Sequence, residues 1–200
     1  MNEDNLAVVD GLRDALADGG LTQSEFAAAL GTSASRFSAY LAGKTTPSAA
    51  LYLRALRLAA SLKAARKQGW MTPQSTTREI RGALRQGDTL WALKMTLQGR
   101  DHLRELLHAR GEAATAWTTT PPTTGDPKWD ALLAALTEQE FNAADRQPPE
   151  WTRTEDKHLN AQDEWVLPSL LLDESAVRAA TPDWLAAHGI YAAERDLATA

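Results

Sequence analysis

Apolar and polar positions recur at helical spacing through most of the chain. In residues 5–18, Leu6, Val9, Leu12 and Leu16 stand three or four apart while Asp10, Asp14 and Asp18 hold another face, which predicts an amphipathic helix. Gly19-Gly20 ends it. Thr22 followed by Glu25 has the capping-box spacing and opens a short helix over 23–30, closed by Gly31. Ser33 caps a helix over 34–42, and Gly43 ends it. Pro47-Ser48 starts a longer helix over 49–68 with Leu51, Leu53, Leu56, Leu58 and Leu62 as its apolar positions. Thr72-Pro73 opens a helix over 74–86, Gly87-Asp88 breaks the chain, and two more helices are predicted over 89–98 and 100–110.

The stretch Thr115–Pro127 is rich in Thr and Pro and reads as a loop or linker. A helix over 128–144 follows, with Trp129, Leu132, Leu133, Leu136 and Phe141 as apolar positions, and Pro148-Pro149 ends it. Residues 150–168 have weak periodicity. Leu170-Leu171-Leu172 is expected to be a buried strand or a helix turn. Thr181-Pro182-Asp183 reads as a cap followed by Pro at the first helical position, Gly189 as a stop, and Ile190-Tyr191 as a short extended piece. The fold class expected is mainly α: an N-terminal bundle of four to five helices (1–69), a helical connector (70–114), a Thr/Pro-rich linker (115–127) and a mostly helical domain with short strands (128–200).

Composition narrows the function. The chain has 200 residues, 44% hydrophobic and 24% charged, enough to bury a core. It has no cysteine, which excludes a disulfide scaffold, thiolate catalysis and cysteine-based zinc sites. No apolar run is long enough for a membrane span. The acidic start lacks a secretory pattern, so a cytoplasmic protein is expected. Net charge is −5, but it is unevenly spread. Residues 1–111 carry 15 Lys/Arg and 10 Asp/Glu, and residues 112–200 carry 6 and 16. No acidic residue lies between Glu25 and Glu79, while Arg36, Lys44, Arg54, Arg57, Lys63, Arg66, Lys67 and Arg78 do. All seven tryptophans lie from residue 70 onward. Such asymmetry points to two tasks on one chain.

The segment Leu21–Pro47 is the most informative. Ala27 is small where two helices would cross closely, and Gly31 falls at the turn between them. Leu30, Phe37 and Leu41 are expected in the bundle core, leaving Ser33, Ser35, Arg36 and Ser38 on the outside of the second helix. This is the pattern of a helix-turn-helix, whose second helix enters the major groove by its N-terminal end. The segment resembles the Cro/CI-type helix-turn-helix, or xenobiotic-response-element family, over roughly residues 5–62. The matching positions are Leu21-Thr22-Gln23, Glu25, Ala27, Leu30-Gly31, Ser33, Tyr40, Gly43-Lys44 and Pro47-Ser48.

The resemblance implies double-stranded DNA as partner and assigns roles position by position. Gln23 would touch a phosphate at a helix N-terminus. Ser33, Ala34, Ser35 and Ala39 would face base edges, with Ser38 on the same helix. Arg36, Lys44 and Thr45 would contact phosphates or flanking bases. The base-reading positions are mostly Ser and Ala, which offer less than the ~1–3 kcal/mol of discrimination from a bidentate Arg or Gln contact. Modest readout per protomer makes a homodimer on paired half-sites the expectation.

The second half is similar to the C-terminal part of actinobacterial regulators that carry this helix-turn-helix, often encoded beside toxins. The resemblance rests on GDPKWDALLAALTEQEF, PPEW, LPSLLLDES and TPDWLAAHGIYAAERDL. It implies an antitoxin-like repressor whose acidic, Trp-rich half binds a basic, toxin-like protein, since aromatic anchors and complementary charge suit such a contact. Core packing of the tryptophans is the plainer reading. A protein-interaction adaptor and a ligand-responsive repressor, with a pocket near Trp91, Trp117 or Trp129, are the alternatives. His102 and His108 are spaced i, i+6, poorly for one metal. No phosphate-binding glycine loop, nucleophile elbow or zinc-helix motif is present. No enzyme activity, cofactor or metal is expected.

Overall fold

The computed structural model describes residues 3–109 and 112–199. Four helices build the N-terminal bundle: α1 (Glu3–Gly19), α2 (Gln23–Ala29), α3 (Ala34–Leu41) and α4 (Ala49–Lys67). Their shared core is Leu12, Ala15, Phe26, Ala27, Leu30, Phe37, Ala55, Leu58 and Leu62. Phe26 and Phe37 meet at 5.6 Å between ring centroids in a tilted pair. On α4 the buried face is set by Ala55, Leu58, Ala59, Leu62 and Ala65. Leu53 and Leu56, expected in the core, are exposed instead, as is Leu6 on α1. Ala55, Ala59 and Ala65 share the buried side of α4 with Leu58 and Leu62, whereas Leu53 and Leu56 fall on its other side.

α5 (Pro73–Arg85) and α6 (Thr89–His108) form a hairpin. α6 is one continuous helix where two were expected on either side of Gly99. Gly99 is a packing site there: a Cβ would lie 2.5 Å from the Thr76 hydroxyl of α5. A short 3-10 helix (Glu112–Thr118) then leads to α7 (Pro127–Ala143), the most buried helix of the second half. Trp129, Leu132, Leu133, Leu136 and Phe141 are all buried, as their spacing predicts.

The Thr/Pro-rich stretch is not a free linker. Ala116 belongs to the N-terminal core and Trp117, fully buried, to the second core. The Ser61 hydroxyl of α4 donates to the Ala113 carbonyl at 2.9 Å and accepts from the Ala116 amide at 2.7 Å. The Trp117 indole donates to the Met71 carbonyl, and the Trp151 indole donates to the Trp117 carbonyl. Thr/Pro composition signals missing helix hydrogen bonds, not missing burial, and here side chains supply the partners.

Beyond α7 the chain is mostly short pieces. β1 (Trp165–Val166) pairs in parallel with β2 (Ile190–Tyr191), Trp165 opposite Ile190. α8 (Glu174–Ala179) and α9 (Asp183–Ala186) lie between them in sequence. Gly189 takes φ +72, and a Cβ there would meet the Leu159 carbonyl oxygen at 2.7 Å, so both turn and close approach require glycine. Thr181 does not cap α9: its hydroxyl donates to the Val177 carbonyl at the end of α8, and Pro182 takes the cap position. Leu170 and Leu171 are exposed rather than buried, on an irregular segment before α8. Among the described residues no helix is long and apolar enough to cross a membrane.

Candidate nucleic-acid interface

The α2–turn–α3 unit is fixed by local chemistry before packing is considered. The Glu25 amide donates to the Thr22 hydroxyl at 3.2 Å, and the Thr22 amide donates to the Glu25 carboxylate at 2.9 Å, which completes the capping box. Burial raises the Glu25 pKa, but the two Thr22 hydrogen bonds and Arg78 outweigh it and hold the carboxyl below its ordinary value. Gly31 closes α2 at φ +71, a left-handed conformation that a side chain would strain. Ser33 then caps α3, accepting from the Arg36 amide at 3.2 Å. Arg54 of α4 donates to the Leu30 carbonyl at the end of α2, and Arg13 of α1 donates to the Leu41 carbonyl at the end of α3. The buried Phe37 anchors the inner face, whereas Leu41, expected in the core, is only half-buried.

This scaffold turns the outer face of α3 to solvent. Gln23, Ser33, Ala34, Ser35, Arg36, Ser38, Lys44 and Thr45 are exposed, and Ala39 is half-buried. Ser33, Ser35, Arg36, Ala39 and Thr45 line one open concavity of about 420 Å³ between α3 and the segment after it. Tyr40 and Thr46 line it too. Sequence reasoning did not count either as a site residue, although Tyr40 follows Arg36 at the i+4 spacing that places two residues on one helix face. Thr46 is held by a hydrogen bond to Asn5 at 3.3 Å, which ties that segment to α1. Gln23, Ala34, Ser38 and Lys44 fall outside the concavity, Gln23 at the first position of α2.

The basic residues divide sharply. Arg36 and Lys44 have no hydrogen bond or ion pair from their side chains among the described residues. Lys63 pairs with Asp18 at 2.9 Å, Arg66 donates to the Asp18 carbonyl, Arg54 caps α2, and Arg78 reaches Glu25 at 3.5 Å. Much of the acid-free stretch therefore staples helices together. The polar concavity with two free cations at its side can hydrogen-bond base edges and pair with phosphates.

The rest of the molecule offers less chemistry. The His102 Nδ1 accepts the Met71 amide at 2.9 Å, and burial lowers its pKa despite Asp101. Among the described residues no group of three or more His, Asp or Glu is placed to hold a metal ion. Trp117, Trp129 and Trp151 are buried, and Trp70, Trp165 and Trp184 pack against the same core. The expected Trp-rich contact surface reduces to Trp91, which is 44% exposed.

Residues 12–60 match the family model for the helix-turn-helix. The N-terminal bundle is a helix-turn-helix domain of the Cro/CI type. Such a domain supports a DNA-binding transcriptional regulator. No curated protein and no solved structure matches the chain. The match stops at residue 60, so the likeness of the second half to antitoxin-like regulators finds no support there.

Proposed function

We propose that this protein is a sequence-specific, cytoplasmic transcriptional repressor that places α3 in the major groove of its operator as a homodimer. The observation that carries the reading is the α3 concavity. Five of the nine residues assigned to DNA contact line it together, inside the segment that matches the helix-turn-helix family. The exposed α2 N-terminus with Gln23, and the free Arg36 and Lys44, suit phosphates on either side. Ser33 and Ser35 already bond each other at 3.1 Å, so one hydroxyl presents a lone pair and the other a proton to a base edge. An antitoxin-like role is the finer form of this reading, with the acidic half taking a basic protein.

The test is binding of the full chain to its own upstream DNA at two salt concentrations, against a scrambled duplex. Preference for the upstream duplex that weakens steeply with salt supports the repressor. Roughly six phosphate contacts would give a log–log salt slope of about 5. Equal, weak binding to both duplexes at low salt would sink it in favour of an adaptor role.

A further inference from the structure

The outward face of α3 is built almost wholly from short side chains. Successive residues turn by about 100° around a helix, so Ser35 and Ala39 stand opposite the buried Phe37. Ala34 and Ser38 hold one flank of that face, and Arg36 and Tyr40 hold the other. Ala34, Ser35 and Ser38 are exposed, and Ala39 is half-buried in the wall of the concavity.

The hydroxyls here are partly committed to the protein. The Ser33 oxygen accepts the Arg36 amide at 3.2 Å, and Ser33 and Ser35 bond each other at 3.1 Å, so the pair keeps one proton for a base. Thr46, which also lines the concavity, donates its proton to Asn5 at 3.3 Å. A serine hydroxyl can bond to any of the four base pairs, so it fixes position without naming a base. Asn and Gln, the side chains that identify adenine, are absent from α3, and Arg36 is its only side chain long enough to make the paired hydrogen bonds that identify guanine.

What remains on the face is methyl. The side chains of Ala34 and Ala39 are single methyl groups, and the apolar group that base edges show in the major groove is the 5-methyl of thymine. We propose that α3 selects thymine by these contacts, Ala34 and Ala39 each packing on the 5-methyl of a T·A pair while the serines hydrogen-bond between them. The inference rests on the proposed placing of α3 in the major groove and adds the base that it selects. A methyl reaches little beyond the helix backbone, so the contacts need α3 deep in the groove. Arg36 and Lys44, longer and without a partner among the described residues, then extend to phosphates at its edges.

The test starts from a pool of random duplexes, from which the full chain enriches its own site. Each thymine of that site is then replaced in turn by uracil, which removes the 5-methyl and leaves the base pair intact, and affinity is followed by fluorescence anisotropy. At least two thymines should each lose about fourfold in affinity, the effect of one methyl returned to water. Ala34→Gln and Ala39→Gln keep a helix-forming residue and set a long amide where the methyl stood. Each should end the uracil response at one of these thymines and change the base enriched there. A site indifferent to uracil throughout, or a sensitivity that both variants keep, overturns the inference and leaves the repressor standing. A chain that enriches no sequence overturns both.

Discussion

The helix-turn-helix bundle and the helices behind it use the same kinds of residue in opposite ways. At α3 the polar side chains face outward, and Arg36 and Lys44 have no partner among the described residues. In the second half the polar side chains bond one another. Arg104 pairs with the buried Glu140 at 2.6 Å, Arg178 with Glu164 at 2.9 Å, and the Tyr191 hydroxyl donates to Glu164 at 3.0 Å. The aromatic residues follow the same division, with Trp117, Trp129 and Trp151 buried as core. Charge and tryptophan content therefore describe function only after the internal pairings are set aside.

The sharpest way to break this comparison is at the junction of the two cores. Trp117 is fully buried, donates to Met71 and accepts from Trp151, beside the 3-10 turn held by Ser61. Trp117→Ala should cost about 3–5 kcal/mol, from lost burial plus a cavity. Urea unfolding would measure it, and a loss under 1 kcal/mol would mean that the halves do not share this joint. The second effect concerns binding. Arg36→Ala with Lys44→Ala should lower the salt slope of DNA binding by about 2 and leave stability within ~0.5 kcal/mol. Lys63→Ala with Arg66→Ala should leave the slope unchanged, because both cations are committed to α1. If the two pairs behaved alike in anisotropy titrations, free and committed cations would be equivalent and the division drawn here would fail.

The helix-turn-helix was legible because its signals are local. Thr22 and Glu25 cap each other, Gly31 needs positive φ, and Phe37 must point inward at that spacing. The nine residues that the family resemblance assigns to DNA contact lie on or beside this unit, eight of them exposed and Ala39 half-buried. Thr46 lies beyond α3, so its place depends on how that segment folds back beside the helix, whereas Tyr40 stands on α3 one turn after Arg36, a spacing legible in the sequence. What failed in the second half was long-range. Gly99 looks like a break unless Thr76 is known to lie against it. Thr115–Pro127 looks like a linker unless Ser61 is known to meet it. The run Leu170–Leu172 looks like core because three leucines carry no sign of whether a partner surface lies inside the chain.

A smaller effect separates the halves again. Thr22→Ala removes the α2 cap and should cost about 1 kcal/mol. It should also weaken DNA binding, since α2 sets the start of the turn into α3. A melting shift without any change in affinity would uncouple the cap from the reading helix.

The smallest expected effect is the pH response, and it belongs to the second half. His188 is buried, stacks on His158 at 4.2 Å between ring centroids, and faces Glu138 at 3.7 Å, with the Lys157 carbonyl at its other ring nitrogen. Burial, then the neighbouring His158, lowers its pKa from the ordinary 6.5, against the pull of the Lys157 carbonyl and Glu138. The folded chain therefore binds fewer protons than the unfolded chain. Its stabilising effect is complete above pH 6.5 and is lost as pH falls from there through the lower folded value. His102 shifts in the same direction. Unfolding midpoints should therefore decline from pH 7 to pH 5, and His188→Gln should flatten that decline. The assigned residues on and beside α3 include no histidine or carboxylate, so salt-corrected DNA affinity should hold over the same range while stability drops. An affinity that fell in step with stability would show that the second half, and not α3 alone, supports the contact with DNA.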